Sequence, residues 1–164
     1  MEIKIPFYNV LNMFLTGFVF VGCTILQYLE NIINFVNSET FAHLTSISEM
    51  VLILIIVAIA YEIGLILNRL GSVILEPLLK ITKLVPFDDR YHIFQEKAQK
   101  FPIMNTLSRE YALSRTGLGE FAILAILSCI RGKYELSLVF ICITIIYLLS
   151  CRKHASKIVS LMKD

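Results

Sequence analysis

The sequence predicts an all-α integral membrane protein, with four transmembrane helices in two hairpins joined by a cytosolic helical segment. Three observations carry that prediction. Hydrophobic residues make up 57% of the chain and charged ones only 17%, against roughly 25% charged in ordinary globular domains. The charges also avoid whole stretches. Between Asn31 and Gly71 the only Lys or Arg is Arg69, and residues 136–150 carry no charge at all. Several apolar runs approach or reach the ~20 residues that a helix needs to cross a bilayer core. A soluble chain of 164 residues could not cover so much apolar surface with so few polar side chains.

The first span covers residues 10–29 and leads to Glu30, Asn31, Asn34 and Asn37, which belong at a water interface. Phe20-Val21-Gly22-Cys23 has the look of a lipoprotein cleavage box after Lys4. The apolar run continues through Ile25 and Leu26, however, and Glu2 weakens a basic start, so the segment reads as a span. A polar connection, 37–48, enters the second span, 47–68, which ends at Arg69.

Residues 70–115 differ in character and form a basic, amphipathic cytosolic segment. From Arg69 to Arg115 the chain carries eight Lys and Arg and five acids. Glu76-Pro77 is expected to break the second span's extension and start a short helix, because Pro suits a helix's first turn. Pro86 stops it. Asp88 or Asp89 can cap a helix reaching Lys100, with Tyr91, Phe94, Ala98 and Phe101 on one face. After Pro102, Asn105 or Thr106 can cap a third helix.

The second transmembrane hairpin occupies 116–151. Its first arm is short if counted from Leu118 to Ile130, about 20 Å of helix. Starting nearer Tyr111, with Arg115 snorkelling to the interface, lengthens it enough. After the turn Arg131-Gly132-Lys133 a fourth span covers 136–151, and a basic tail, 152–164, follows. Positive charge concentrates in cytosolic loops of membrane proteins. An inside N-terminus, 70–115 segment and tail place 13 of the 15 Lys and Arg inside, leaving Arg131 and Lys133 outside. This pair runs against the rule and leaves open a second hairpin that does not cross fully. The expected location is a bacterial inner membrane with both termini cytosolic.

Intramembrane charges are the candidate sites: Glu62, Glu120, Arg115 and Arg69. Glu62 lies about 10 Å below the cytosolic interface. An ionisable group at that depth costs about 3 kcal/mol unless paired or wetted. Either it binds a proton or cation or acts as a gate, or it pairs with Arg69, Arg115 or an Arg of another subunit. Glu120 reads more simply as an acid near a helix N-terminus, where the macrodipole favours it. Gly119, Ala122 and Ala125, continued by Cys129, form one stripe of small residues, and Ala60 and Gly64 another. Such stripes let helices approach closely, within a chain or between subunits. Asn12, Thr16 and Gln27 suit hydrogen bonds to neighbouring helices. Lys80, Lys83, Arg90, Tyr91, Phe94, Lys97 and Phe101 form a candidate cytosolic docking face, or one that rests on the anionic inner leaflet.

No cofactor, metal or catalytic residue is expected. Cys23, Cys129, Cys142 and Cys151 are dispersed, as are His43, His92 and His154, and metal or hydrolase motifs are absent. A net charge of +2 gives no reason to expect nucleic acid as a partner. The expected partners are the lipid bilayer, further copies of the chain and a cytosolic protein on residues 70–115. Three functions fit. The chain is a non-enzymatic membrane subunit coupling a cytosolic signal to its embedded part, an architecture also found in bacterial stress and phage-defence systems. It is a small ion channel or transporter using Glu62. Or it is an immunity-type protein against a membrane toxin.

Overall fold

The computed structural model describes residues 7–37, 49–87 and 91–163. These are helical nearly throughout, with no strand among the described residues: α1 (Phe7–Gln27), α2 (Leu29–Val36), α3 (Glu49–Leu70), a π-helical turn (Gly71–Leu75), α4 (Glu76–Ile81), α5 (Tyr91–Lys100), α6 (Ile103–Ile130) and α7 (Tyr134–Lys163). Among the described residues, four stretches are long and apolar enough to span a membrane: Asn9–Gln27, Ile53–Ile81, Ile103–Ile130 and Tyr134–Lys163. The connection 38–48, His43, the Asp88 or Asp89 cap and Arg90 lie outside the described residues.

The chain divides into two compact units, Met1–Leu67 and Asn68–Asp164. In the first, α1 and α3 cross with their backbones almost touching. A Cβ built on Gly17 would overlap the Ala60 carbonyl, and one on Gly64 would overlap the Met13 carbonyl. Only residues without a side chain allow that approach. Elsewhere the two helices leave large apolar side chains exposed, among them Leu15, Phe18, Ile53 and Leu54.

The expected break at Glu76-Pro77 does not occur. The helix passes from α3 through the π turn into α4, with Leu70, Leu75 and Glu76 all in right-handed helical conformation. The π turn is what makes this feasible. Proline lacks an N–H and its ring collides with the carbonyl four residues back. A π turn shifts the bonding by one residue, so the Glu76 N–H reaches the Gly71 carbonyl and the ladder is already re-registered at Pro77. The helix ends in a two-bond left-handed cap. Lys83 N–H meets Lys80 O at 3.0 Å and Leu84 N–H meets Leu79 O at 3.1 Å. Lys83 takes φ 55°, a conformation that costs a side-chain-bearing residue about 1 kcal/mol.

The third span and the basic tail both continue as regular helix. Pro102 occupies the N-cap position of α6, which runs unbroken for 28 residues. Asn105 and Thr106 are therefore in its first turn rather than capping it, and both accept from Arg109. α7 continues for 30 residues to Lys163, so residues 152–163 extend the fourth apolar helix. Between α6 and α7, Gly132 takes φ 71°. Gly132 N–H bonds Cys129 O at 3.0 Å and Lys133 N–H bonds Ser128 O at 2.9 Å. The same two-bond cap here has the glycine that the geometry favours.

α6 and α7 pack side by side over most of their length. Leu79, Val85, Met104, Leu107, Tyr111, Cys151, Ala155 and Ile158 bury a compact apolar core at one end, against which Phe87, Phe94 and Ala98 pack. The outer faces of the pair change along its axis. Ile126, Ile130, Leu138, Ile141, Ile145, Ile146 and Leu149 are exposed on one half. Arg109, Glu110, Arg152, Lys153 and Lys157 are exposed on the other.

Candidate functional site

The densest group of buried polar side chains lies in the second unit, where those outer faces change. Arg115 is 8% exposed. Its guanidinium forms an ion pair with the Glu76 carboxylate. The helical geometry explains why. With Pro102 starting α6, Arg115 falls in mid-helix, where its side chain meets the segment carrying Gly71 and Glu76. A Cβ on Gly71 would stand 3.5 Å from Arg115 Nε, so a small residue there leaves room for the guanidinium. Lys80 adds a second cation 3.6 Å from Glu76. The guanidinium also lies 5.8 Å from the centroid of the Tyr111 ring, within cation–π range.

Two hydrogen-bonded pairs surround this ion pair. Thr116 Oγ1 lies 3.1 Å from Asn68 Oδ1 and 2.9 Å from its own helix's Ala112 carbonyl. Ser114 Oγ and Ser150 Oγ are 2.8 Å apart, joining α6 to α7. Three helical stretches are thus tied at one level: the end of α3 with α4, the middle of α6, and α7. Toward the charged end, His154 Nε2 is 3.5 Å from Glu110 Oε2. Toward the apolar end, Ser137 Oγ donates to the Ala125 carbonyl at 2.9 Å.

Glu120 is 3% exposed, and its Oε1 has no hydrogen-bond partner. It lies far from the start of α6 at Ile103, so the expected macrodipole stabilisation does not reach it. Around it, Phe121 stacks on Tyr147 with centroids 5.6 Å apart, and Tyr147 also presses on Gly117.

The other predicted residues disperse. Glu62 and Arg69 are exposed, and Arg115 is paired with Glu76. The small residues serve packing within the chain. Ala60 is fully buried, Gly64 meets Met13, and a Cβ on Gly119 would lie 2.7 Å from Leu75 Cδ1. Ala122 is half-buried and Ala125 buried. Of the docking face, Phe94 packs on the core and Lys80 engages Glu76. Lys83 and Phe101 are exposed and Lys97 half-buried, while the Tyr91 side chain lies outside the described residues.

Glu76, Asn68, Thr116, Ser114, Ser150 and Gly17 are the residues sequence reasoning missed. Glu76 had a signal, being a lone carboxylate in an apolar stretch as Glu62 is. Reading Pro77 as a helix break hid it. The hydroxyls had no signal, because Ser and Thr in apolar helices commonly bond their own backbone. Comparison with protein-family models, curated proteins and solved structures found no match.

Proposed function

We propose that the chain is a non-enzymatic membrane subunit that passes events at its cytosolic helices to its membrane-embedded helices. In this reading it forms two transmembrane hairpins with both termini in the cytosol of a bacterial cell. The supporting observation is that α6 and α7 run unbroken from an apolar-faced half to a charged-faced half, with the partly buried Glu76–Arg115 pair where the faces change. Residues 111–130 and 134–153 each supply roughly 30 Å of helix, the thickness of a bilayer core. Arg152 and Lys153 then meet the inner headgroups, and the core around Met104, Ala155 and Ile158 stands in the cytosol. A partner binding there would act on the same rigid helices that line the membrane half. Lys83, Lys97 and Phe101 offer it a basic, partly apolar surface. Self-assembly would use the exposed apolar faces, since the small-residue stripes are occupied within the chain.

The test is hydrogen exchange on the full chain in lipid vesicles. Arg115→Met should raise exchange on both sides of the junction, in 79–87 and in 121–130. The double variant E76L/R115M should restore protection. Loosening confined to one side would contradict the relay reading.

A further inference from the structure

α2 is a separate helix at the end of the first apolar stretch. The Tyr28 N–H closes α1 on the Thr24 and Ile25 carbonyls, and the Tyr28 carbonyl opens α2 by accepting from Ile32 at 3.0 Å. At about 100° per residue, Leu29, Ile32 and Ile33 share one side of α2, and Glu30, Asn31 and Asn34 the other. Leu29 and Ile33 are 45% and 49% exposed, so the apolar side has a face open to its surroundings. That face continues the exposed surface of α1 at Ile25 and Leu26. An apolar face continuous with a membrane-facing helix, and backed by polar residues at the helix end, has the form of a segment at the headgroup boundary.

We infer that α2 is an interfacial anchor, seating Leu29 and Ile33 in the outer headgroup–acyl boundary of the bilayer. The inference rests on the membrane reading above. Its charge pattern sets it apart from the usual interfacial helix, which carries Lys and Arg toward anionic lipid. α2 has no cation and one acid, Glu30. It is held by apolar contact and its tether to α1, so the content of anionic lipid does not govern its seating.

The chain contains no tryptophan, so one introduced indole reports alone. Full-length Phe18→Trp, Leu29→Trp, Ile33→Trp and Asn34→Trp would be placed in phosphatidylcholine vesicles carrying lipids brominated at shallow or deep positions. Iodide would probe the aqueous side. Phe18→Trp should be quenched by deep bromines. Leu29→Trp and Ile33→Trp should be quenched by shallow bromines several-fold more than Asn34→Trp, which iodide should reach. Adding phosphatidylglycerol should leave this pattern unchanged. Iodide quenching of Leu29→Trp and Ile33→Trp as strong as that of Asn34→Trp overturns the anchor. Shielding of both from lipid and water alike, the mark of a protein cover, also overturns it. If Phe18→Trp escapes every bromine as well, the membrane reading falls with it.

Discussion

The two units hold their helices together by different means. In residues 1–67, α1 and α3 meet at one crossing where Gly17 and Gly64 let backbone touch backbone. In residues 68–164, partly buried polar groups tie three helical stretches at one level. Burial singles out one helix rather than one unit. Half of the Ile103–Ile130 stretch is buried, against 11% for Asn9–Gln27 and 17% for both Ile53–Ile81 and Tyr134–Lys163. α6 is thus enclosed by its neighbours, while the other apolar stretches turn most of their surface outward. Lipid tails are as apolar as Leu, so within a bilayer contact geometry and hydrogen bonds bring helices together, rather than the hydrophobic effect. One unit uses the first means and the other adds the second.

That contrast can be broken at the ion pair first. Arg115→Met should destabilise the second unit by about 3 kcal/mol, the low end for a broken buried pair, because Glu76 is partly exposed and keeps Lys80 beside it. Replacing both partners, in E76L/R115M, should recover most of that loss. Unfolding by denaturing detergent would measure both, and equal losses in the single and double variants would count against a desolvated pair. Next comes the glycine crossing. Gly64→Val pushes against the Met13 and Gly17 backbone and should cost about 1–3 kcal/mol. A crosslink between cysteines placed on α1 and α3 should slow with it, while the second unit keeps its stability. Ser114→Ala should cost about 0.6 kcal/mol, a typical value for an interhelical hydrogen bond in a membrane. Adding Ser150→Ala should then cost little more. The smallest effect has the opposite sign. Lys83→Gly relieves the left-handed residue at the end of α4 and should stabilise by about 1 kcal/mol, read as a raised melting midpoint.

The four apolar helices were legible because hydropathy and length alone determine whether a helix can span. The turn at Gly132 was legible from its residue types. What could not be read was which face of each helix meets protein. In a helix apolar all round the pattern that marks a buried side is missing, so nothing in the sequence separated exposed Glu62 from buried Glu120. Pro77 misled for a related reason. Proline breaks an α-helix, but a π turn just before it absorbs the displaced carbonyl, and sequence does not announce that turn. From this one misreading followed the loss of Arg115's partner. Gly17 shares its apolar run with Gly22, and only the position of Ala60 across from it reveals its role.

Placement of the cytosolic membrane surface near Arg152 and Lys153 on α7 is the claim on which the rest depends. A membrane-impermeant maleimide, applied to inverted vesicles carrying single cysteines along that helix, tests it directly. Lys157→Cys and Lys153→Cys should label fast, and Ile145→Cys, Ile146→Cys and Leu149→Cys should not label. Equal labelling at 145, 146 and 157 would mean that the apolar half of the helix pair stands in water, contradicting the account.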